Sequence, residues 1–265
     1  MAHQHWVRYR HAGETGFGTL HDGRIQPHAG DLFAAATPKG SAFEAHEATL
    51  LTPCEPNKMI GLVNNFHALL TKLNAAVPEE PLYFLKSQTA FLAAGETIET
   101  PVHYSGRVVF EGELGIVIGK RAKNVEEADA LSYVFGYTCV NDVTAFDLLN
   151  KDPQFAQWTR AKSFDTFGVI GPSIATGLDP GSLVVRTILE GDERQNYPIS
   201  DMVFSAARLV SLLSKDMTLL PGDVIACGTS VGAGRMKPGS TIEIEIEGIG
   251  RLTNRFEGVA AEVTR

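Results

Sequence analysis

The residues of this sequence best suited to chemistry are two glutamates, Glu111 and Glu113, at the start of an apolar, β-branched run that ends at Ile118. Side chains at positions i and i+2 of a β-strand point to the same face of a sheet, so this spacing brings the two carboxylates together. Carboxylates held this close repel each other unless one is protonated or a cation lies between them. The pair therefore predicts a metal site, although an exposed edge strand with two solvated glutamates has the same pattern.

A third carboxylate, Asp142, ends a second apolar stretch that begins at Gly136 and closes with Asn141. Functional side chains are often found at strand ends, where the scaffold holds them and leaves them open to a ligand. Three carboxylates without cysteine or histidine suit a hard cation such as Mg²⁺, Mn²⁺ or Ca²⁺ rather than zinc. Because Asn-Asp also commonly begins a turn, the motif alone leaves the ligand role of Asp142 open.

Composition limits the classes of protein and partner. A chain of 265 residues with 44% hydrophobic residues can bury a large core as one domain, or as one domain with a small appendage. A formal net charge of -8, with no basic block, argues against a nucleic-acid partner. The sequence has no 18-residue apolar run and no apolar leader, and its three cysteines, in no metal spacing, suit a reducing compartment. We therefore expect a cytoplasmic protein without a membrane partner.

The pattern of the chain changes near residue 52. Short strand-like pieces separated by glycine turns predict a small N-terminal β module over residues 1–52, followed by a proline-bearing connector at 52–57. A larger second unit covers 58–265 and is rich in strands, which predicts a β-rich α+β fold. Helical patterns are confined to 125–131 and 202–213. The predicted strands of this unit are 59–63, 82–85, 108–118, 133–139, 183–189, 224–227, 241–246 and 251–256.

Four blocks of the sequence resemble the fumarylacetoacetate hydrolase superfamily in order and spacing. They cover 111–120, 136–142, 160–172 and 221–229, and the resemblance spans about residues 58 to 256. It implies a mixed β roll of the α+β class, commonly a homodimer, with Glu111, Glu113 and Asp142 as ligands of Mg²⁺ or Mn²⁺. The N-terminal module also resembles the small domain that precedes the catalytic domain in many bacterial members.

The resemblance also assigns residues around the metal. Lys162 matches an active-site lysine whose ammonium can stabilise an enolate or oxyanion, and without the motif it would be read as a surface lysine. Gly228 and Thr229 open a glycine-rich loop whose N–H groups can receive a substrate carboxylate, although a plain turn has the same composition. Lys86 matches a lysine that precedes a substrate-facing loop, and its role is left open.

The sequence departs from the family pattern at the residues that handle protons. Hydrolytic members carry Asn-Tyr-x-x-His-x-x-Glu on a short helix, whereas here Leu69 occupies the histidine position and Lys72 the glutamate position. His67 lies two residues earlier, which on a helix is about 200° away, so it could substitute as a base only if the segment is not helical or the lid closes differently. Phe146 and Leu149 replace an arginine and a glutamine, which predicts a pocket for a less charged or more hydrophobic substrate tail.

Three functions follow from the resemblance and the departures. The first is a metal-dependent hydrolase of a catabolic pathway that cleaves a C–C bond of an acylpyruvate or β-diketo acid. The second is a decarboxylase or keto–enol isomerase of a 2-oxo acid on the same metal site, which needs a proton transfer but no attacking hydroxide. The third is a protein that binds the metal and a small 2-oxo acid without turnover.

Overall fold

The computed structural model of the protein describes residues 3–258, which form strands connected by short helices and turns. The strands are β1 (Gln4–His11), β2 (Glu14–His21), β3 (Arg24–Gly30), β4 (Ala36–Pro38), β5 (Phe43–Glu44), β6 (Thr49–Leu50), β7 (Met59–Val63), β8 (Leu82–Lys86), β9 (Phe91–Leu92), β10 (Thr97–Glu99), β11 (Val108–Phe110), β12 (Gly112–Ile118), β13 (Val134–Asp142), β14 (Thr144–Ala145), β15 (Gly168–Thr176), β16 (Val184–Leu189), β17 (Asp192–Pro198), β18 (Val224–Ala226), β19 (Gly234–Arg235), β20 (Thr241–Ile246) and β21 (Gly250–Glu257). The α-helices are α1 (His67–Leu73), α2 (Phe146–Leu149), α3 (Trp158–Lys162) and α4 (Ala206–Asp216). Single turns of 3₁₀ helix cover Ala45–Glu47, Gln88–Ala90, Pro180–Ser182 and Ile199–Asp201, and a longer one covers Glu127–Tyr133.

The strands form three sheets, which confirms the β-rich α+β class. The large sheet has 13 strands, and its path runs β4-β3-β2-β1-β15-β13-β12-β18-β7-β8, with β5, β6 and β9 paired beside it. The second sheet has the order β10-β21-β20-β16-β17, and a small sheet has the order β14-β11-β19. Because β1 pairs with β15, the N-terminal strands extend the large sheet instead of forming a separate one. No helix among residues 3–258 is long and apolar enough to cross a membrane.

Strand β12 is buried at every position because both faces of the large sheet are covered there. Leu114, Ile116 and Ile118 point into the main hydrophobic core, which they share with α4 and with the isoleucines of β20. Val117 points the other way, into a smaller core that contains Trp6 of β1. Because side chains alternate between the two faces of a strand, one face of β12 packs in the main core and the other packs against the N-terminal strands.

Some predicted elements differ from the structure. The predicted strand at 108–118 is interrupted at Glu111, because β11 leaves the large sheet to pair with β19 and β14. The predicted helix at 125–131 is the 3₁₀ segment Glu127–Tyr133. The helix predicted from residue 202 begins at Ala206, because residues 202–204 bond to the chain before α1, where Asn65 Oδ1 accepts the Phe204 N–H at 2.9 Å.

Candidate active site

The three predicted metal ligands converge where β12 begins and β13 ends. One side-chain and one backbone hydrogen bond fix this register, because the Glu111 N–H donates to Asn141 Oδ1 at 3.0 Å and the Asp142 N–H donates to the Glu111 carbonyl at 2.9 Å. One carboxylate oxygen from each of Glu111, Glu113 and Asp142 lies within 4.8 Å of the others. The i, i+2 spacing therefore brings the two glutamate side chains together, as strand geometry predicts, even though Glu111 itself lies just outside β12.

Gly112, between the two glutamates, lies against the second sheet. A Cβ atom at this position would come within 2.1 Å of Thr187 Oγ1 of β16, so only glycine allows the two sheets to approach this closely. The Gly112 N–H donates to Gln195 Oε1 at 3.1 Å, and its carbonyl accepts from the hydroxyls of Tyr197 and Thr229, the latter at 3.0 Å. The peptide between the two glutamates is therefore held from the side opposite the carboxylates.

Gln195 is a positioning residue that the sequence did not reveal. From β17 it accepts from Gly112 and from the Thr187 hydroxyl at 2.9 Å, and its Nε2 donates to Thr229 Oγ1 at 2.8 Å and to the Ser230 carbonyl at 3.2 Å. It thereby joins the start of β12 to the glycine-rich loop that begins at Gly228. The available signal was the alternation of β17, in which Gln195 and Tyr197 are buried between exposed residues.

Two buried lysines contact the carboxylates in different ways. Lys162, the last residue of α3, places Nζ 2.8 Å from Glu111 Oε2 and 2.7 Å from Asp142 Oδ2. Lys86 Nζ lies 2.6 Å from Asp142 Oδ1 and also donates to backbone carbonyls, to that of Phe167 at 2.9 Å and those of Val143 and Lys162. Lys86 thus holds Asp142 in place, whereas Lys162 reaches the open side of the site.

The pKa values reflect this uneven supply of positive charge. Burial, followed by the negative charge of Asp142, raises the pKa of Glu113 well above its usual range, and Lys162 opposes the shift. Burial alone would raise the pKa of Asp142 too, but the charges of Lys162 and Lys86 bring it below its ordinary value. Glu113 is consequently the carboxylate that most lacks a neighbouring cation.

The donor set fits a hard divalent cation. Glu113 Oε2 accepts the Gly228 N–H at 2.8 Å, while its Oε1 is buried without a hydrogen-bond partner in the described part of the chain. The Thr144 hydroxyl donates to Glu111 Oε1 at 2.6 Å and fixes that carboxylate. Three carboxylates face only two ammonium groups, and the clustered ligands are all oxygen donors.

A cavity of about 470 Å³ lies beside this centre and includes Glu111 and Lys162 in its lining. Thr229 also lines it, and its hydroxyl is engaged with Gly112 and Gln195. Glu113, Asp142, Lys86 and Gly228 are buried behind these lining residues. The other residues of the lining are Leu62, Val63, Asn64, Leu69, Lys72, Leu73, Arg107, Val109, Phe146, Leu149, Trp158, Ser230, Val231, Gly232, Ala233, Gly234 and Arg235.

Helix α1 presents the two positions of the missing dyad to the cavity. Leu69 and Lys72, three residues apart on one face, both line it. Leu70 is buried on the opposite side of α1. The first turn of α1 is held by the Ala68 N–H, which donates to Asp201 Oδ2 at 3.0 Å. His67 is exposed at the start of the helix and is not part of the lining, so the structure does not bring it to the three predicted metal ligands.

The cavity wall combines the expected apolar residues with cations. Phe146 and Leu149 line it, as their positions after Asp142 predicted, and Trp158 lines it as well. Arg107 and Arg235 also line it, and the Arg107 guanidinium lies 4.5 Å from the centroid of the Phe146 ring. The sequence did not indicate these arginines, because they enter the site through the pairing of β11 with β19 and not through a motif.

Comparisons with known proteins agree with this architecture. The family described as fumarylacetoacetate (FAA) hydrolase C-terminal matches residues 58–257, and the family described as Rv2993c-like, N-terminal matches residues 4–53. The crystal structure of 2-hydroxyhepta-2,4-diene-1,7-dioate isomerase from Mycobacterium marinum is similar with a TM-score of 0.89 and 34% identity, covering 97% of this chain and 100% of that one. Oxaloacetate tautomerase YisK of Bacillus subtilis is 38% identical over 200 residues, 72% of this chain and 65% of that protein. The structure of fumarylpyruvate hydrolase from Pseudomonas aeruginosa in complex with Mn²⁺ and pyruvate has a TM-score of 0.71 and 27% identity, covering 76% of this chain and 90% of that one.

Proposed function

Because the chain belongs to the fumarylacetoacetate hydrolase family, we propose that it is a divalent-metal enzyme that interconverts the keto and enol forms of a 2-oxo acid. One observation carries this choice among the family's reactions. The face of α1 that lines the cavity holds Leu69 and Lys72, and within residues 3–258 the lining contains no histidine and no carboxylate besides Glu111. The site therefore offers no evident base for activating a water molecule.

Glu111, Glu113 and Asp142 are the residues that would hold the metal, with Mg²⁺ or Mn²⁺ as the proposed ion. Such a cation would supply Lewis acidity that lowers the free energy of an enolate. Lys162 adds a fixed positive charge beside Glu111 and Asp142, where an ammonium stabilises negative charge that develops on a substrate oxygen. The loop from Gly228 and Thr229 borders the cavity and is proposed to contact the substrate.

Keto–enol isomerisation takes a proton from C3 of the substrate, for which solvent water is the proposed acceptor, and adds a proton to the keto oxygen, for which the Lys162 ammonium is the proposed donor. Hydrolysis requires in addition a water that is activated to attack carbon. The first process tolerates the replacement of a histidine and a glutamate by Leu69 and Lys72 better than the second. The oxaloacetate tautomerase and the isomerase among the similar proteins support this choice. Hydrolysis of an acylpyruvate is the second candidate, favoured by the similarity to fumarylpyruvate hydrolase.

The test is an assay of oxaloacetate with Mg²⁺ or Mn²⁺ that follows the ultraviolet absorbance of the enol, with mass spectrometry of the products. Accelerated keto–enol relaxation without a change in mass supports the proposal. Loss of CO₂ assigns a decarboxylase, and addition of water across a C–C bond of an acylpyruvate assigns a hydrolase. Since free metal ions also act on oxaloacetate, Glu113→Gln at the same metal concentration is the control.

We also propose that the protein acts as a homodimer in the cytoplasm. The edge strand β8 presents Leu82 and Leu85 to solvent, which suits a contact with a second copy. Cys54, Cys139 and Cys227 are buried free thiols, as a reducing compartment allows. Light scattering after size-exclusion chromatography will test the dimer, and fractionation of the source cells will test the compartment.

A further inference from the structure

We infer that Asn65 is a positioning residue that couples the metal site to helix α1, so that a bound cation helps to place part of the cavity wall. Asn65 lies between β7 and α1, and its side chain is buried. This coupling rests on the proposed function for the assignment of Glu113 as a metal ligand, and not for the reaction.

The peptide group between Cys227 and Gly228 joins Asn65 to Glu113. Its N–H donates to Glu113 Oε2 at 2.8 Å, and its carbonyl accepts from Asn65 Nδ2 at 2.9 Å. Because the C=O and N–H of a trans peptide point in opposite directions, the carboxylate and the amide hold one rigid plane from its two sides. A rotation of this plane breaks both hydrogen bonds together.

The same peptide group has two orientations open to it. Gly228 has a φ of +90°, and glycine populates positive and negative φ with similar ease, so the residue permits the plane to turn. The Cys227 N–H is fixed separately, since it donates to the Leu114 carbonyl of β12 at 2.9 Å. In the turned orientation the Cys227 carbonyl would face the Glu113 carboxylate, and these oxygens repel each other. A cation that fixes Glu113 and an amide that holds the carbonyl therefore favour the same orientation.

Asn65 transmits this preference to α1 because it also anchors the chain at the start of the helix. Its Oδ1 accepts the Phe204 N–H at 2.9 Å. The next residue, Phe66, is buried and packs edge to face on Tyr197, with ring centroids 4.9 Å apart. The Tyr197 hydroxyl in turn donates to the Gly112 carbonyl, between the two glutamates. The base of α1 is thus tied to the acidic centre by two routes.

The coupling makes one part of the cavity wall depend on the centre. Leu69 and Lys72 of α1 line the cavity, whereas Glu113 is buried behind the lining. A cation bound by Glu113 would therefore affect two wall side chains through the peptide group and Asn65. Because coupling between sites is reciprocal, loss of the Asn65 amide should also weaken metal binding.

Hydrogen–deuterium exchange with mass spectrometry tests the coupling by following the amides of α1 in the full chain, without Mn²⁺ and at Mn²⁺ concentrations that saturate each variant. We expect Mn²⁺ to slow this exchange about fivefold in the wild type and to leave it unchanged in Asn65→Ala. Calorimetry should give Asn65→Ala a Mn²⁺ affinity about fivefold below that of the wild type. Asn65→Ser, whose side chain is one bond shorter but still polar, replaces Asn65→Ala if that variant does not fold.

Asp201→Ala is the matched control, because Asp201 anchors α1 through the Ala68 N–H and not through Asn65. This variant should speed the exchange of α1 with and without Mn²⁺, retain the slowing by Mn²⁺, and bind Mn²⁺ like the wild type. A merely structural role of Asn65 would give the same pattern in Asn65→Ala.

The outcomes separate the coupling from the proposed function. If Mn²⁺ slows α1 equally in the wild type and in Asn65→Ala, or binds to the wild type without any change at α1, the coupling is refuted. If the wild type binds no Mn²⁺, the metal assignment fails and the coupling fails with it. If Mn²⁺ slows α1 through Asn65 while oxaloacetate is not tautomerised, the coupling holds and the proposed reaction is wrong.

Discussion

The acidic centre and the wall of the cavity are built in opposite ways. Glu113 and Asp142 are buried, and backbone N–H groups, lysines and the register of β12 with β13 hold the centre in place. Several side chains of the wall, such as Lys72 and Phe146, are exposed. The positions that match the family pattern lie in the first region, and those that depart from it lie in the second. The carboxylate centre is therefore constrained by packing, whereas the exposed positions of the wall can change at little cost to the fold.

The largest expected effect comes from removing one charge in the centre. Glu113→Gln keeps the shape of the side chain but loses the carboxylate whose Oε1 has no partner among the described residues. We expect the Mn²⁺ affinity to fall by about a hundredfold or more and turnover to disappear into the background, as measured by calorimetry and by enol absorbance. Glu247→Gln, at an exposed site, should bind Mn²⁺ like the wild type. If Glu113→Gln binds Mn²⁺ as tightly as the wild type, the assignment of Glu113 as a metal ligand is wrong.

The two buried lysines should separate catalysis from stability. Lys86→Met removes the buried ammonium that contacts Asp142 Oδ1 and three backbone carbonyls, and we expect the free energy of unfolding to fall by about 3 kcal/mol. Lys162→Met removes the ammonium from Glu111 and Asp142, whose negative charge a bound cation can neutralise instead. In the presence of Mg²⁺ we therefore expect Lys162→Met to unfold at a higher denaturant concentration than Lys86→Met. Lys162→Met should nevertheless lose most of the activity. Denaturant titrations with and without Mg²⁺ measure both. Equal destabilisation under all conditions would contradict the distinction.

The sequence predicted the centre better than the wall for a physical reason. Strands β7 and β20 have the predicted bounds, 59–63 and 241–246, because their hydrophobic patterns are local. The convergence of Glu111 with Glu113 follows from the two-residue period of a strand. The candidacy of Asp142 follows from its place at the end of a strand. These features depend on neighbours in sequence or on motifs that the family resemblance carries.

The unpredicted features depend on contacts between distant segments. The interruption at Glu111 arises because β11 pairs with β19, which also brings Arg235 to the cavity. Gln195 reaches the site only because the second sheet packs against Gly112. A hydrophobic period carries no information about such packing, so the arginines of the wall could be found only in three dimensions.

The contact between the sheets can be tested at Gly112. In Gly112→Ala, the new methyl group would meet Thr187 Oγ1 at 2.1 Å and Ile244 Cδ1 at 2.9 Å, and we expect a loss of about 1–3 kcal/mol in unfolding free energy. Metal affinity should also fall, since both flanking glutamates must move. Gly181→Ala is the matched control, because its nearest neighbour, Asp179 Oδ1, lies at 3.5 Å. If Gly112→Ala is as stable as this control, the second sheet does not fix the centre.

The smallest effect is expected at His67, the one histidine close in sequence to the missing dyad. Its side chain is exposed and outside the lining, whereas Leu69, two residues further along α1, lines the cavity. Since two helical steps turn a side chain by about 200°, the anchored helix cannot present both residues to the substrate. His67→Ala should therefore keep kcat/KM within about twofold, while Leu69→Ala raises KM several-fold by removing part of the wall. A large fall in kcat for His67→Ala alone would mean that α1 turns when substrate binds and that His67 takes part in proton transfer.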